Sequence, residues 1–490
     1  MTPESRHEKQ KRSAPPRGLV WRTPRPGAEP MRGVTAARWM LGFFRDPIRT
    51  LREARERFGP VSAVGHVVPL PQREKLHVIA LGPEYNHQVL SDPDRFRTTG
   101  QGIGGPRGSA QRRLRYGLTR SQRARHERQR QFLMPPFQKK AVEGYTEKMV
   151  AVTDKLLAQW SPGEKLDVWL EMRKLTLEIA SDILFAREDP ARSHALGEQI
   201  GDWLSRSFSL GVWACMLDAP GTPYRALLRR AEAIEREVQA MLDEKRDAGA
   251  RGSDVVSLLV AANRDGHLWM TDEDLIGQAT IAFAASYETT ANAMTWTLFL
   301  LAQHPAVAQA LLDELDAVLG GAPPTIESLA RAPFLEAVVK ESLRILPPVP
   351  YTIRVARARE TAIGPFVLRR GDRVILSHYV THHLPELYAS PERFEPQRWL
   401  SLKRGPYEYL PFSAGPRLCI GYSFAMHALK VSTAMILQRF RFSVAPGVRI
   451  DRSVKVTMSP SRGLPMTIHP QDRRFERVPV RGNVNEMVEL

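Results

Sequence analysis

Cysteine is scarce in this chain of 490 residues, which contains only Cys215 and Cys419, far apart. A disulfide framework and the usual cysteine-paired zinc sites are therefore excluded, and a reducing compartment, the cytoplasm, is favoured. Internal repeats with a period of about 20 to 50 residues are also missing, which excludes solenoids and propellers. The chain is long enough to bury a cofactor in one large domain or in several small ones.

Long apolar runs are missing as well. The start of the chain is too polar for a secretory signal, and the apolar stretch 34–44 is short and interrupted by Arg38. Residues 275–302 approach the length of a membrane span, but Glu288 and Asn292 stand at the centre, where lipid would penalise them. We therefore expect no membrane span; with 43% hydrophobic and 25% charged residues the composition is that of a soluble globular protein.

Positive charge is in excess, and it is concentrated. The net charge is +17, and residues 106–140 hold eleven basic side chains against the single Glu127. Such a stretch attracts an acidic protein, a nucleic acid or an anionic membrane, whereas a solvated arginine-rich surface is the plainer interpretation. The chain has no recognised nucleic-acid motif, so we expect no nucleic-acid partner.

The organisation along the chain indicates one ordered body. We expect residues 1–30, which are basic and proline-rich, to form a mobile lead-in, residues 31–470 to form a single domain, and residues 471–490 to form a loosely held tail. Apolar residues recur mostly with the helical period, which predicts a mainly α fold with small β-sheets at one side. The predicted helical segments are 139–160, 165–186, 224–247, 253–263, 273–302, 305–319, 333–345 and 421–439. The predicted strand pairs are 61–68 with 76–81, 366–368 with 374–376, and 440–444 with 466–468.

The most distinctive local pattern is PFSAGPRLCIG at residues 411–421, a loop that runs directly into an apolar helical segment. Cys419 stands at the start of that helix, where free N–H groups and the helix dipole favour a thiolate, and Arg417 adds positive charge. One thiolate suits haem iron better than an iron–sulfur cluster or structural zinc. Gly421 permits close approach of a flat cofactor, and Phe412 can pack against its face.

The pattern Phe-x-x-Gly-x-Arg-x-Cys-x-Gly resembles the haem-binding signature of the cytochrome P450 monooxygenases, and further motifs in family order extend the resemblance to soluble bacterial members over about residues 31–470. It implies the family's triangular single-domain fold and haem b with the thiolate of Cys419 as axial iron ligand. It also implies a monooxygenase that uses dioxygen for hydroxylation or epoxidation of a substrate.

A second motif is Glu341-Ser342-Leu343-Arg344. The spacing alone indicates an ordinary surface ion pair. In the family, a Glu-x-x-Arg pair locks into a buried network with an arginine of a Pro-Glu-Arg-Phe motif. The resemblance therefore implies that Glu341, Arg344 and Arg393 together hold the haem side of the core.

A third motif, ASYETT at residues 285–290, is similar to the family's Ala-Gly-x-Glu-Thr-Thr in the helix that crosses above the haem. The resemblance implies that Ala285 and Thr289 border the haem and that Thr289 and Glu288 relay protons to dioxygen. An isolated Thr-Thr pair would instead bond back to its own helix. Ser286 replaces the usual glycine and either narrows the oxygen groove or adds a hydroxyl; the sequence leaves both open.

Haem propionates need cationic partners, because two carboxylates at the edge of an apolar cavity are costly unless paired. His126 and Arg130 match the His-x-x-x-Arg of many bacterial members. Arg354 follows a proline-rich turn where the family places another cation, and Arg417 completes the set. The alternative for His126 is one more solvated residue in a basic stretch.

Substrate and partners are predicted more broadly. The segments 96–118, 200–220, 349–353 and 460–465 match the family's substrate-contact loops by position only. The apolar composition near Trp213 favours a lipophilic substrate, with a slight preference for a fatty acid or terpenoid, although core packing explains it equally well.

Electrons are expected to come from a separate ferredoxin or flavodoxin with its reductase, because no further cysteine follows Cys419. The stretch 106–140 would steer that acidic partner. One alternative is a peroxide-driven or rearranging haem-thiolate enzyme, against which Glu288 and Thr289 argue. Another is a non-enzymatic haem-binding sensor.

Overall fold

A computed structural model describes residues 29–68, 74–98, 102–185, 189–249, 252, 254–264 and 270–490. Apart from residues 29 and 30, the predicted lead-in lies outside the described residues. The prediction of a mainly α fold is confirmed. The helices are α1 Gly33–Arg45, α2 Pro47–Phe58, α3 Pro83–Leu90, α4 Ala110–Arg113, α5 Arg123–Leu133, α6 Lys139–Glu143, α7 Thr146–Leu157, α8 Val168–Leu184, α9 Pro190–Ser207, α10 Leu210–Ala214, α11 Pro223–Asp247, α12 Val255–Arg264, α13 Asp272–Gln303, α14 Pro305–Leu319, α15 Ile326–Ala330, α16 Pro333–Ile345, α17 His378–His382 and α18 Tyr422–Arg439.

The strands are short and form small sheets. They are β1 Val61–Val64, β2 His77–Ala80, β3 Phe96–Thr98, β4 Lys165–Asp167, β5 Tyr351–Ala356, β6 Glu360–Ile363, β7 Phe366–Arg369, β8 Arg373–Ser377, β9 Phe440–Val444, β10 Arg452–Val454, β11 Met458–Pro460 and β12 Pro465–Pro470. One sheet has the order β1-β2-β8-β5-β3 and another the order β4-β12-β9, while β6-β7 and β10-β11 are two-stranded.

The long helix α13 forms the centre of the core. Its start is fixed by a capping box, in which the hydroxyl of Thr271 accepts from the N–H of Asp274 and the Asp274 carboxylate accepts from the N–H of Thr271. Its second half is buried on all sides, with Trp296 and Phe299 fully enclosed. It packs against α8, α16 and α18. Among the described residues, no helix combines the length and apolar character that crossing a membrane requires.

Two of the three predicted strand pairs are confirmed, and one is wrong. β1 pairs with β2, and β9 pairs with β12, both antiparallel. The strand at 366–368 does not pair with the one at 374–376, because β7 turns back onto β6 instead. Gly364, with φ of +54°, and Pro365 make that tight turn. β8 is thereby free to join β2 and β5 in the larger sheet.

The prediction that residues 471–490 form a loosely held tail is also wrong. Val484 and Met487 are fully buried, and the carbonyl of Met487 lies 3.2 Å from Nε2 of His383. An ion pair of 3.3 Å joins Glu486 to the buried Arg452. Apolar side chains spaced three or four residues apart hold the segment against the core.

Candidate functional site

The loop that carries Cys419 has a fixed shape. The N–H of Cys419 donates to the carbonyl of Phe412 at 2.9 Å, and α18 begins shortly afterwards at Tyr422. Gly415 has φ of +68°, and a Cβ there would lie 2.5 Å from the carbonyl oxygen of Leu90, so only glycine fits. The structure therefore places Cys419 at the amino end of a long helix, where the sequence predicted it.

The surroundings of Cys419 affect the pKa of its thiol in opposite directions. The thiol is accessible yet closely surrounded by protein, and burial raises its pKa. A hydrogen bond from the backbone of Gly421 and the charge of Arg130 oppose this effect without overcoming it. Because a bound metal ion removes the proton of a coordinating thiol outright, the arrangement suits a ligand that ionises on metal binding. Phe412 packs edge-on against Tyr422, with 4.8 Å between ring centroids.

The four predicted propionate partners share one electrostatic environment. Burial, with the charges of Arg417 and Arg130, lowers the pKa of His126 to about 4. Burial and the charge of Arg417 lower the pKa of Arg354 to about 10. Burial and the charge of Arg130 lower the pKa of Arg417 to about 10. His126 is buried, so its interpretation as a solvated surface residue is wrong.

These cations fit the carboxylates of a haem. Among the described residues, no acidic side chain forms an ion pair with Arg130, Arg354 or Arg417. The charge of Arg417 lowers the pKa of Arg354, and the charge of Arg130 lowers that of Arg417. Partly buried like charges of this kind require an anionic partner. Two propionates would supply both the charge and the hydrogen-bond acceptors. The residues present therefore fit a haem with its propionates among His126, Arg130, Arg354 and Arg417.

Arg417 ties the cysteine loop to the segment before α5. Its Nη1 donates to the carbonyl of Leu118 at 3.2 Å, and its Nη2 donates to the carbonyl of Ser121 at 2.5 Å. Nη2 also lies 3.4 Å from Oε1 of Gln122. The guanidinium is thus positioned by neutral acceptors, which leave its charge uncompensated.

One broad side of α13 is accessible in the middle of the helix. Ala285 is exposed, and Ser286 and Thr289 are half-buried, at spacings that put them on the same side. The hydroxyl of Thr289 donates to the carbonyl of Ala285 at 3.2 Å, and that of Ser286 donates to the carbonyl of Phe283 at 2.8 Å. Ser286 therefore adds a hydroxyl that is bonded within its own helix.

Glu288 takes part in a different set of contacts. Its Oε1 accepts from the hydroxyl of Thr457 at 2.8 Å, and that hydroxyl accepts from Nδ2 of Asn292 at 3.0 Å. Oδ1 of Asn292 in turn accepts from the indole of Trp169 at 2.8 Å. The predicted acid and alcohol are therefore adjacent in sequence but have separate hydrogen-bond partners.

The Glu341–Arg344 pair is buried, as the resemblance implied. Both side chains are fully enclosed, and two parallel contacts of 2.8 Å join the guanidinium to the carboxylate. Nη1 of Arg344 also donates to the carbonyls of His382 and Pro391, at 2.8 Å each. This network joins α16 to α17 and to the segment that leads toward the cysteine loop.

The prediction that the side chain of Arg393 is the third member of that network is wrong. The guanidinium of Arg393 pairs with Glu489 at the surface, and only its backbone carbonyl reaches Arg344, at 3.1 Å. Arg398 occupies the predicted place, with its Nε 3.0 Å from Oε1 of Glu341. The indole of Trp399 donates to the other carboxylate oxygen at 2.7 Å. Arg398 lies in a short 3-10 helix, which turns it inward.

Two buried basic side chains, Arg115 and His378, were not predicted. Nη2 of Arg115 donates to the carbonyl of Gly102 at 2.9 Å, and its Nε is buried without an acceptor among the described residues. His378 bonds the carbonyl of Val349 through Nδ1 at 2.9 Å, while its Nε2 has no described partner. Nothing in the sequence separates Arg115 from its many neighbouring arginines. His378 follows a strand without any motif.

The predicted substrate segments show mixed exposure. Near the middle of 200–220, Val212 is buried, whereas Trp213 is 43% and Met216 is 60% exposed. Core packing therefore accounts for Val212 but not for Trp213 and Met216. Tyr351, in the segment 349–353, is half-buried, and its ring packs edge-on against Phe43 of α1 at 5.2 Å.

The basic stretch is partly neutralised. Arg113 contacts Glu235 at 2.5 Å, Arg125 contacts Asp274 at 2.5 Å, and Arg123 contacts Asp94 at 3.0 Å. Several cations of the stretch therefore serve local packing, and the charge available to a partner is smaller than the sequence count.

Comparison with known proteins gives consistent matches. A family model described as Cytochrome P450 matches residues 45–466. The Cyclooctat-9-en-7-ol 5-monooxygenase of Streptomyces melanosporofaciens is 31% identical, covering 90% of this chain and 94% of that protein. The Cyclooctatin synthase of the same organism is 32% identical, covering 91% of this chain and 96% of that protein.

Solved structures share the fold. The retinoic acid-bound cyanobacterial CYP120A1 has a TM-score of 0.75 at 22% identity, covering 88% of this chain and 96% of that chain. The cytochrome P450DA heme domain has a TM-score of 0.73 at 23% identity, covering 92% of this chain and 99% of that chain.

Proposed function

Because the chain belongs to the cytochrome P450 monooxygenase family, whose cofactor is haem b held by a cysteine thiolate, we propose that Cys419 is the axial ligand of its haem iron. The observation that carries this proposal is the cluster of Arg130, Arg354 and Arg417 near the cysteine loop, which lacks a described acidic partner. The cluster supplies cations for the propionates, and the loop supplies the thiol.

When bound, the haem supplies the oxidising chemistry, in which dioxygen, two electrons and two protons yield one oxygen atom in the substrate and one in water. His126, Arg130, Arg354 and Arg417 bind the propionates and orient the ring. The hydroxyl of Thr289 donates to the carbonyl of Ala285. In this position its oxygen accepts a hydrogen bond on the open face of α13, and if the hydroxyl rotates it donates one there instead.

Glu288 provides the acid of the proposed proton relay. Its carboxylate is held by Thr457 at 2.8 Å, on the hydrogen-bond chain that leads to Asn292. To deliver a proton toward Thr289, the side chain must exchange this contact for one on the open face of α13. Thr457 therefore positions the acid between turnovers.

The test is the absorption spectrum of the reduced, carbon monoxide-treated protein. The band of a thiolate-ligated haem is expected for the parent chain and should be lost in Cys419→Ser. Cys215→Ser, at the exposed second cysteine, is the matched control and should keep the band. The proposal is wrong if no haem binds or if the band survives in Cys419→Ser.

We propose a lipophilic small molecule as the substrate, hydroxylated or epoxidised. The name of one relative specifies an unsaturated alcohol, cyclooctat-9-en-7-ol, as its substrate. The exposed apolar side chains Trp213 and Met216 lie in a predicted substrate segment. Spin-state changes of the haem during titration with such compounds test this, and equal responses to polar compounds would contradict it.

A separate ferredoxin or flavodoxin, with its reductase, is proposed as the electron donor in the cytoplasm. Arg128 is an exposed member of the basic stretch on α5, and Arg229 is an exposed arginine on α11. We expect Arg128→Glu to slow reduction by a ferredoxin most strongly at low ionic strength, whereas Arg229→Glu leaves the rate unchanged. A rate that does not respond to salt would exclude electrostatic steering.

A further inference from the structure

A recess of about 610 Å³ opens beside the edge strand β3, outside the haem site described above. Four arginines from separate chain segments line it: Arg97 on β3, Arg123 at the start of α5, Arg357 after β5 and Arg370 before β8. Asp94 is the one acidic residue among its described lining residues, and it already pairs with Arg123 at 3.0 Å. The recess therefore carries a strong net positive charge.

Arg357, which lines the recess, has unmet hydrogen-bonding capacity. Its Nη1 is buried and has no acceptor among the described residues. Its backbone is fixed, since the N–H of Arg357 donates to the carbonyl of Arg95 at 2.8 Å. A buried guanidinium N–H without an acceptor is costly, and such groups are rare in folded proteins.

The sheet itself brings these like charges together. β3 and β5 pair so that Arg97 lies opposite Val355, two residues before Arg357. The side chain of Arg97 reaches solvent, but partial burial lowers its pKa, and neighbouring cations lower it further, with Arg357 as the largest contributor among them. The folded chain thus holds repelling guanidinium groups around a concave space.

We propose that this recess binds a small molecule bearing two or three linked phosphate groups. Its volume is in the range of small-molecule sites. Guanidinium forks match phosphate oxygens in pairs, and an oligophosphate offers enough negative charge for several of them at once. A small anion fits within the recess, whereas the flat surface of a protein partner reaches only its rim.

The recess and the haem site are neighbours with one shared side chain. Gln122 lines the recess, and its Oε1 lies 3.4 Å from Nη2 of Arg417. Its Nε2 donates to the hydroxyl of Thr98 on β3 at 3.1 Å. Binding in the recess does not depend on Cys419, so it can be measured independently of the proposed function.

The experiment is calorimetric titration of the haem-loaded full chain with sodium tripolyphosphate and, in a second arm, with ATP. We expect saturable binding at one site, weakened about tenfold or more by Arg97→Gln and by Arg357→Gln, since each removes a charge-assisted contact. Arg229→Gln, at an exposed position on α11, is the matched control and should bind as the parent does. Binding in both arms assigns recognition to the phosphate chain, and binding of ATP alone assigns part of it to the nucleoside.

The absorption spectrum of each variant verifies that the haem site and the fold are intact. Arg97 is exposed, so Arg97→Gln is expected to fold even if Arg357→Gln does not. The proposal is overturned if neither compound saturates a site, if Arg229→Gln weakens binding as much as Arg97→Gln does, or if a glutamate-rich peptide binds more tightly than tripolyphosphate.

Discussion

Nε of Arg398 lies 3.0 Å from Oε1 of Glu341, whereas the guanidinium of Arg393, five residues earlier, pairs with Glu489 at the surface. Two arginines of one short segment therefore have opposite environments. Arg398 donates a hydrogen bond to the fully buried carboxylate of Glu341. Arg393 forms an exposed ion pair, which contributes little to stability.

Replacing Arg398 with alanine should lower the free energy of unfolding by about 3 to 5 kcal/mol, because it leaves Glu341 buried with part of its charge uncompensated. Arg393→Ala is the matched control, with an expected loss of about 1 kcal/mol or less. Urea denaturation of both variants measures the difference. Equal losses would show that Arg398 is not the structural member of the network.

Replacing Arg354 should weaken haem binding without destabilising the haem-free protein. Arg354→Gln removes a propionate partner, so haem affinity should fall about tenfold or more. It also removes a buried charge that faces Arg417, so the haem-free chain should be as stable as the parent or more stable. Haem transfer to apomyoglobin and thermal melting measure the two effects. Arg331→Gln, at an exposed position, should change neither.

Thr289 should control how efficiently oxygen consumption yields product. Thr289→Val removes the hydroxyl from the open face of α13, so proton delivery should fail more often and the ratio of product to oxygen consumed should drop several-fold, by about tenfold at most. Thr290→Val is the control, because the hydroxyl of Thr290 is buried and directed to the carbonyl of Ser286. An unchanged ratio in Thr289→Val would remove this residue from the relay.

His427 should make stability fall in mild acid. Burial, assisted by the charge of Lys430 and opposed by Glu143, lowers its pKa from 6.5 to about 4. Between these values the unfolded chain binds a proton that the folded chain does not, so the free energy of unfolding decreases as the pH falls from 6.5 to 4. His427→Gln should reduce that slope by up to about 1.4 kcal/mol per pH unit.

Urea denaturation at several pH values measures the slope, and His87→Gln, at an exposed position on α3, is the control. Stability that does not change between pH 6.5 and 4 in the parent chain would contradict the buried, neutral state of His427.

Most of the helical core could be predicted because its apolar period is long and uninterrupted, as in α11, α13 and α18. The cysteine loop was predictable from its motif. Arg398 was not, because Arg393 stands in an equally basic segment and only the 3-10 turn decides which of them points inward. The partner of β7 depended on a two-residue turn at Gly364, and strand periodicity contains no information on which neighbour a strand chooses.

The recess beside β3 could not be predicted from the sequence for a related reason. Arg97, Arg123, Arg357 and Arg370 are far apart along the chain and meet only through the pairing of β3 with β5 and the turns beside it. The separate partners of Glu288 and Thr289 were likewise hidden, since Thr457 comes from a distant segment.

The packing of the segment after β12 bears on how the protein is made. His304, at the end of α13, contacts the carbonyl of Glu489, and Arg52 of α2 donates to the carbonyl of Glu486. When α2 and α13 have left the ribosome, they therefore still lack contacts that residues 484–489 supply later. The native core can consolidate only after these residues have been synthesised, so chaperone dependence and in-cell solubility should respond to substitutions at Val484 and Met487, which lie outside the haem site.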